Sequence, residues 1–357
     1  MLSSIVSVVE EESRPLPAMV AKRFKAIDGS TMKTRFCTFW PLPLVFTLAA
    51  GCTAAAQNAV PLVLPMENVS GHLVVELEER TLGKLRLVVD TGAERTLLST
   101  RAAGKAKVDR HFTDRFYSFY GFGQKKKATL AGHTILELRS GERSLATVEA
   151  LVLDANNMDV GVQPAPDGIL GWDFFQHLCV RLDSKRQRMT ISGADQCATN
   201  EEGFHAPPVE WMKEGLLLPV TVALANQHTM KLKLHVDTGS DSIQLNPRLR
   251  GELGLEQKPQ GESQNQGKGV NGSYAWDVAY ASSIEADGGH LRLGGKLPLV
   301  VPRFGSYSRP SSLFSGRDEA LLFRDGVVGN NVLSQYELIF DPAQKKLYAR
   351  AYSFVAK

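Results

Sequence analysis

Charge of one sign is scarce in this chain: 41 Lys and Arg against 38 Asp and Glu leave a formal +3 over 357 residues. No dense Lys/Arg stripe with interleaved aromatics occurs, which argues against a nucleic-acid footprint. The one basic cluster, Lys125-Lys126-Lys127, reads most simply as a solvated loop. Cysteine is also scarce, with four in all, and no Cys/His spacing resembles a zinc site. None of the eight His residues falls in an HExxH pattern, so neither metal nor cofactor is expected. Beyond residue 50 no apolar run is long enough to cross a bilayer. What remains is 43% hydrophobic and 22% charged, the balance of a globular chain long enough for two or three domains.

The first fifty residues differ from the rest. After Met32 come Lys33, Thr34 and Arg35, then residues 36–50 without a charge, then Gly51 and Cys52. A basic stretch, a short apolar stretch and a small-residue site form the pattern of a secretory signal. Pro41 and Pro43 interrupt the apolar stretch, so it suits cleavage better than spanning. Leu48-Ala49-Ala50-Gly51-Cys52 resembles a bacterial lipobox, whose Cys becomes the lipidated first residue; the alternative is an ordinary signal that ends in Cys. The expected division is therefore 1–51 extension and lipoprotein signal peptide, with Met32 favoured as the start over an unusual extension, and 52–64 tether. The implied location is the bacterial cell envelope, facing the periplasm. Thr53, where Asp would oppose it, points to the outer membrane by analogy with other lipoproteins. The membrane is then met only through lipid on Cys52. Export leaves Cys179 and Cys197 as an even pair in an oxidising compartment. A bridge there would contribute about 3 kcal/mol; two buried free thiols are the alternative.

Internal repetition decides the architecture. Lys84-Leu85-Arg86-Leu87-Val88-Val89-Asp90-Thr91-Gly92-Ala93 returns as Lys231-Leu232-Lys233-Leu234-His235-Val236-Asp237-Thr238-Gly239-Ser240. Asp167-Gly168-Ile169-Leu170-Gly171 returns as Asp325-Gly326-Val327-Val328-Gly329. Period-two alternation at Leu85, Leu87, Val89 and at Leu232, Leu234, Val236 predicts strands with one buried face. Strands are expected upstream at 73–77 and 216–224. Downstream, 135–138 and 150–153 are expected to pair, with counterparts at 291–293 and 297–301. Short helices are expected over 172–178 and 331–336. Two mainly β lobes follow, 65–195 and 215–357, with 196–214 as linker.

A strand ending in Asp-Thr-Gly offers a rigid carboxylate: Gly lets the chain turn sharply, and Thr can lock the turn with a hydrogen bond. Two such loops around a pseudo-two-fold axis set two carboxylates side by side, where they share a proton. One then serves as general base on a water while the other donates to a substrate carbonyl; aspartic proteases are the familiar case of such sharing. The chain resembles the aspartic peptidases of the pepsin and retropepsin clan over residues 65–357. Asp-Thr-Gly-Ala at Asp90 and the compact lobes suggest a bacterial retropepsin-like branch fused in tandem. The resemblance implies a bilobal acid-protease fold, two pseudo-two-fold related β-barrel-like lobes with the active site between them. It implies Asp90 and Asp237 as the catalytic dyad of a hydrolase acting on peptide or protein substrates. Thr91, Gly92, Thr238, Gly239 and Ser240 would support the loops, and Gly171 and Gly329 would let the strands beneath them pack closely. One chain supplies both acids, so a monomer suffices.

Substrate would lie under a flap. Residues 116–123 are aromatic and glycine-rich, and Tyr117 or Tyr120 would cap the water or line a subsite, unless they pack on their own lobe. Residues 267–274 match them in the second half. Gly267-Lys268-Gly269-Val270-Asn271-Gly272 fits the dinucleotide-binding glycine pattern, but no apolar strand precedes it and no helix follows; it is a glycine-rich loop. The sequons at Asn68 and Asn271 are set aside, and Asp287-Gly288-Gly289 reads as a hairpin turn. Beside the endopeptidase stands a second reading, a non-catalytic envelope protein that binds peptides in the same cleft.

Overall fold

The computed structural model describes residues 7–11, 60–109, 116–120, 130–154, 161–255, 266–269, 272–286, 289, 291–303 and 325–352. Met32, Cys52, Thr53, the three lysines at 125–127 and residues 121–123 lie outside them. No described helix is long and apolar enough to cross a membrane. Among the described residues helix is limited to single turns such as Trp172–Phe175 and Asn330–Leu333.

A short strand, β1 (Ser7–Glu11), comes first. The first lobe contains β2 (Leu62–Val69), β3 (His72–Glu79), β4 (Gly83–Val89), β5 (Leu97–Ser99), β6 (Phe116–Tyr120), β7 (Leu130–Ser140), β8 (Arg143–Leu153), β9 (Gly168–Leu170), β10 (Leu178–Asp183) and β11 (Arg188–Gly193). The second lobe contains β12 (Glu210–Trp211), β13 (Leu216–Leu224), β14 (Thr229–Val236), β15 (Ile243–Leu245), β16 (Gln266–Gly269), β17 (Gly272–Ala286), β18 (Arg292–Pro302), β19 (Gly326–Val328), β20 (Tyr336–Asp341) and β21 (Lys346–Ala351).

In the first lobe the order β3-β4-β9-β5-β8-β7 closes on itself through a β3–β7 pairing. In the second, β13-β14-β19-β15-β18-β17 closes through β13–β17. Each six-stranded barrel repeats the same directions: β4 and β14 run parallel to β9 and β19, which run antiparallel to β5 and β15. Those in turn run parallel to β8 and β18. Closure removes the barrel edges that would otherwise leave backbone groups unpaired. The mainly β bilobal fold expected from the duplication is the fold observed.

The patterning explains the strands. In β14, Met230, Leu232 and Leu234 are buried while Thr229, Lys231 and Lys233 are exposed. The alternation stops at its end, where Leu234, His235 and Val236 are all buried, and β4 does the same at Leu87, Val88 and Val89. Each strand leaves a barrel face and becomes covered on both sides as it reaches the other lobe. The second-lobe counterparts expected as two strands, 291–293 and 297–301, are instead one. Leu293 and Leu297 share β18, and the register slips between Ala281 and Ser283 of β17. Gly295, at φ 105°, takes up that slip as a bulge within the one strand.

The lobes share one sheet. β10 pairs antiparallel with β20, Arg181 opposite Ile339, in the order β21-β20-β10-β11-β2. β2 starts at Leu62, inside the expected tether, because residues 62–65 pair with β11. The expected linker is also partly anchored: Trp211 pairs with Leu216, and His205 bridges Ala349. A charged knot reinforces this floor. Glu337, with its side chain 2% exposed, takes Arg181 Nε at 2.5 Å from the first lobe and Arg350 Nη2 at 2.5 Å from β21. The linker adds Glu201, which accepts from Arg181 Nη2 at 3.0 Å, and Phe204, whose ring lies 4.3 Å from the Arg350 guanidinium. Removing Glu337 takes away the buried carboxylate of the knot and leaves the two guanidiniums only the more exposed Glu201 to share. Glu337→Ala is therefore expected to lower unfolding free energy by roughly 2–4 kcal/mol, measured by chemical denaturation.

Candidate active site

Each Asp-Thr-Gly sequence sits where β4 or β14 ends, and the parallel neighbour β9 or β19 fixes its start: Asp90 N–H donates to Leu170 O and Asp237 N–H to Val328 O, both at 3.0 Å. The carboxyl then closes its own turn. Asp90 Oδ1 accepts from Gly92 N at 2.9 Å and Ala93 N at 3.0 Å. Asp237 Oδ1 accepts from Gly239 N at 2.8 Å and Ser240 N at 3.1 Å. The two loops face one another at van der Waals range. A Cβ on Gly92 would lie 2.4 Å from Asp237 Cγ, and one on Gly239 would lie 2.2 Å from Asp90 Cγ. Glycine here is a condition of approach: any side chain would separate the carboxyls.

Threonine ties the loops together. Thr91 Oγ1 donates to Val236 O at 2.8 Å and accepts from Thr238 N at 3.1 Å. Thr238 Oγ1 donates to Val89 O at 2.9 Å and accepts from Thr91 N at 3.0 Å. Four buried hydrogen bonds thus cross between lobes in a reciprocal set.

The Asp-Gly-Φ-Φ-Gly elements lie behind the loops. Asp167 Oδ2 accepts from Arg86 N at 3.0 Å, and Asp325 Oδ2 from Lys233 N at 2.7 Å, pinning β9 and β19 to β4 and β14. A Cβ on Gly171 would sit 2.4 Å from the Arg95 carbonyl carbon, and one on Gly329 would sit 2.5 Å from Ser242 O. The next residue in each half returns to the loop: Trp172 N–H donates to Ala93 O at 2.6 Å and Asn330 N–H to Ser240 O at 2.7 Å. The halves then diverge. In the first, Asp173 Oδ1 accepts from Thr96 Oγ1 at 2.7 Å, and burial raises the Asp173 pKa. In the second, Ser240 Oγ donates to Ser242 O at 3.0 Å and accepts from Gln244 Nε2 at 3.3 Å.

Both carboxyls have no solvent exposure. Burial pushes the Asp237 pKa well above the carboxylate range; the negative charge of Asp90 and a carboxyl–carboxyl hydrogen bond to it add to the rise. One proton shared by the pair is the consequence. The neighbouring imidazole of His235, fully buried, is lowered to about 3 by desolvation alone and stays neutral. It takes the place of Val88 in the repeat, and Gly215 makes room for it: a Cβ there would fall 2.2 Å from His235 Nε2.

The structure thus brings together Asp90, Thr91, Gly92, Gly171, Asp237, Thr238, Gly239, Ser240 and Gly329. Tyr117 and Tyr120 are on β6, whose backbone pairs with β1, Tyr117 opposite Glu10 and Tyr120 opposite Ser7. The second-half candidate is a hairpin of β16 and β17, with Gly267 opposite Tyr274. Cys179, on β10, and Cys197, in the expected linker, form a disulfide with Cα atoms 5.5 Å apart. Among the described residues no three His, Cys, Asp or Glu side chains are grouped to hold a metal ion. Sequence reasoning passed over Asn330, His72 and Asp173. Asn330 and Asp173 follow the repeated glycines closely, and that position was the available signal.

A family model described as "gag-polyprotein putative aspartyl protease" matches residues 81–177. No curated protein matches the chain. Among solved structures, basic 7S globulin from soybean is similar at 14% identity and TM-score 0.45, over 82% of this chain and 95% of that one. Conglutin gamma, a basic 7S globulin from lupine seeds, is similar at 11% identity and TM-score 0.44, with 82% and 95% covered. Aspartic proteinase from Irpex lacteus is similar at 14% identity and TM-score 0.43, over 83% and 98%.

Thr238→Val removes a hydroxyl that both donates to and accepts from the first lobe. It is expected to cost roughly 2–4 kcal/mol, since two buried backbone groups lose their partner, as read by urea unfolding. The raised Asp237 pKa has a definite sign. The folded state holds a proton that the unfolded chain has released, so this group's contribution to stability is complete below about pH 4 and falls as pH rises. Asp237→Asn is therefore expected to raise the melting temperature at neutral pH and to lose that advantage in acid, as thermal unfolding across pH would reveal.

Proposed function

We propose that the chain is an aspartic endopeptidase that hydrolyses peptide bonds with Asp90 and Asp237 as its dyad. The observation that carries this reading is the reciprocal approach of the two loops, each carboxyl packed on the other loop's glycine. The aspartyl protease family match over residues 81–177 supports it. So does the raised Asp237 pKa, which suits a carboxyl that keeps its proton while its neighbour is ionised.

The chemistry follows from that division. Asp90, as carboxylate, takes a proton from a water held between the two groups, and the water oxygen attacks the peptide carbonyl carbon. Asp237 gives its proton to the carbonyl oxygen, so no net charge develops on a tetrahedral diol. Collapse moves a proton to the amide nitrogen, breaks the C–N bond and returns the dyad to its single-proton state. The threonine lattice keeps the carboxyls in place throughout, so little reorganisation accompanies the charge transfer. Both acids come from one chain, so a monomer is sufficient in this reading.

We extend the proposal to a bacterial envelope protein held by lipid on Cys52 and facing the periplasm, on the outer membrane, from the Leu48–Cys52 sequence and Thr53. A second reading, a non-catalytic envelope protein binding peptides in the same cleft, draws support from the zero exposure of both carboxyls.

The full-length chain and its Asp90→Asn and Asp237→Asn versions should be incubated with a complex peptide mixture from acid to neutral pH. New termini read by mass spectrometry are expected from the parent alone, with each substitution lowering the rate roughly a thousandfold or more. Peptide retained without new termini at any pH, by folded protein, would select the binding reading.

A further inference from the structure

The repeat makes Trp172 and Asn330 equivalent, each directly after the second glycine of its half. Both send a side-chain N–H across to the other lobe. Trp172 Nε1 donates to Met212 O at 3.2 Å, in the turn between β12 and β13. Asn330 Nδ2 donates to Gly71 O at 2.9 Å, in the turn between β2 and β3. That turn is tight, with Ser70 at φ 54° and Gly71 at φ 90°. It reaches the second catalytic loop closely: a Cβ on Gly71 would meet Asp241 Cβ at 3.2 Å.

Asn330 does a second thing with the same amide. Its Nδ2 also donates to Thr238 O at 2.6 Å. Thr238 O belongs to the peptide unit whose N–H is that of Gly239, and Gly239 N–H donates to Asp237 Oδ1 at 2.8 Å. The Gly71 carbonyl thus anchors the Asn330 amide, and from that amide a donor chain runs through the Thr238–Gly239 peptide to the Asp237 carboxyl. Asn330 is 4% exposed, so water does not compete well for these groups. A hydrogen bond accepted by a peptide carbonyl strengthens that peptide's own N–H as a donor, most of all in a low dielectric. A stronger donor on Oδ1 favours the ionised carboxyl.

We propose that Asn330, anchored on the first lobe's Gly71 carbonyl, is a positioning residue that holds and polarises the Thr238–Gly239 peptide and thereby sets the proton affinity of Asp237. The mechanistic use of this rests on the peptidase reading; the proton affinity itself does not. Other titratable groups face the same loop and must be held constant. Asp90 approaches from the opposite loop. Asp241 and His235 belong to the loop and its strand. His72 opens β3 just after the first-lobe turn, and burial lowers its pKa against the opposing pull of the Asp241 charge and the Gly239 backbone.

The test is carbon-13 NMR of aspartate-labelled full-length protein, with the Asp237 carboxyl assigned through Asp237→Asn. Asn330→Leu keeps the volume and removes both donors. Its Asp237 carboxyl is expected to titrate higher than the parent's by about half a pH unit or more, the scale of one lost hydrogen bond. Asn330→Ala, read the same way, serves if the leucine variant fails to fold, and thermal unfolding verifies the fold in either. An unchanged Asp237 titration in a folded variant overturns the proposal, whatever the protein does to peptides. Where peptides are cleaved, the alkaline limb of the kcat/KM profile is expected to move up with the NMR midpoint. Absence of peptide cleavage by the parent overturns the enzyme reading, and the NMR titration then decides the role of Asn330 by itself.

Discussion

Two carboxyl groups, both without solvent exposure, are held against each other at the meeting of two lobes, and the rest of the molecule is arranged to tolerate that. Like charges so placed in a poorly solvated site cannot both persist. The pair is stable only with a shared proton and with backbone donors turned toward the remaining charge. Four N–H groups, from Gly92, Ala93, Gly239 and Ser240, supply those donors. The threonine lattice prevents the loops from relaxing apart. Glycine at 92 and 239 admits the approach in the first place.

Holding the loops requires holding the lobes, and the fold does this at several depths. Nearest the dyad are hydrogen bonds between buried hydroxyls and backbone. Behind them, turns of each lobe reach the residue after the other lobe's repeated glycine. Farthest away, β10 and β20 make the floor one sheet, with Glu337 shared between guanidiniums from both lobes. An ion pair that is only partly buried adds less to net stability than its short distances suggest. Its larger effect is to make one relative placement of the strands better than its neighbours.

The duplication is not a perfect symmetry, and the departures cluster around the site. Trp172 in one half corresponds to Asn330 in the other, and Val88 corresponds to His235 with Gly215 clearing space for it. Asp173 braces Thr96 in the first half, while a Ser240–Ser242–Gln244 set occupies the second. Identical loops would give two carboxyls of equal proton affinity. Unequal surroundings give the proton a preferred side.

The two barrels, the Asp-Thr-Gly loops and the pairing of halves were legible in the residues because they depend on local rules. Alternation at period two marks a half-buried strand, Gly marks a close approach, and a repeated pattern marks a repeated unit. The same rules divided β18 into 291–293 and 297–301, since a bulge inside one strand and a break between two differ only in what pairs alongside. Asn330 carried no local signal beyond its place in the repeat, and His72 carried none, because their partners lie 259 residues away at Gly71 for the one and at Gly239 for the other. The sequence by itself determined which carboxyls can meet and which hydroxyls and glycines accompany them. Only the tertiary structure decided how the two loops are buried, tied and made unequal, because hydrogen bonding and desolvation across lobes depend on distances that no stretch of chain contains.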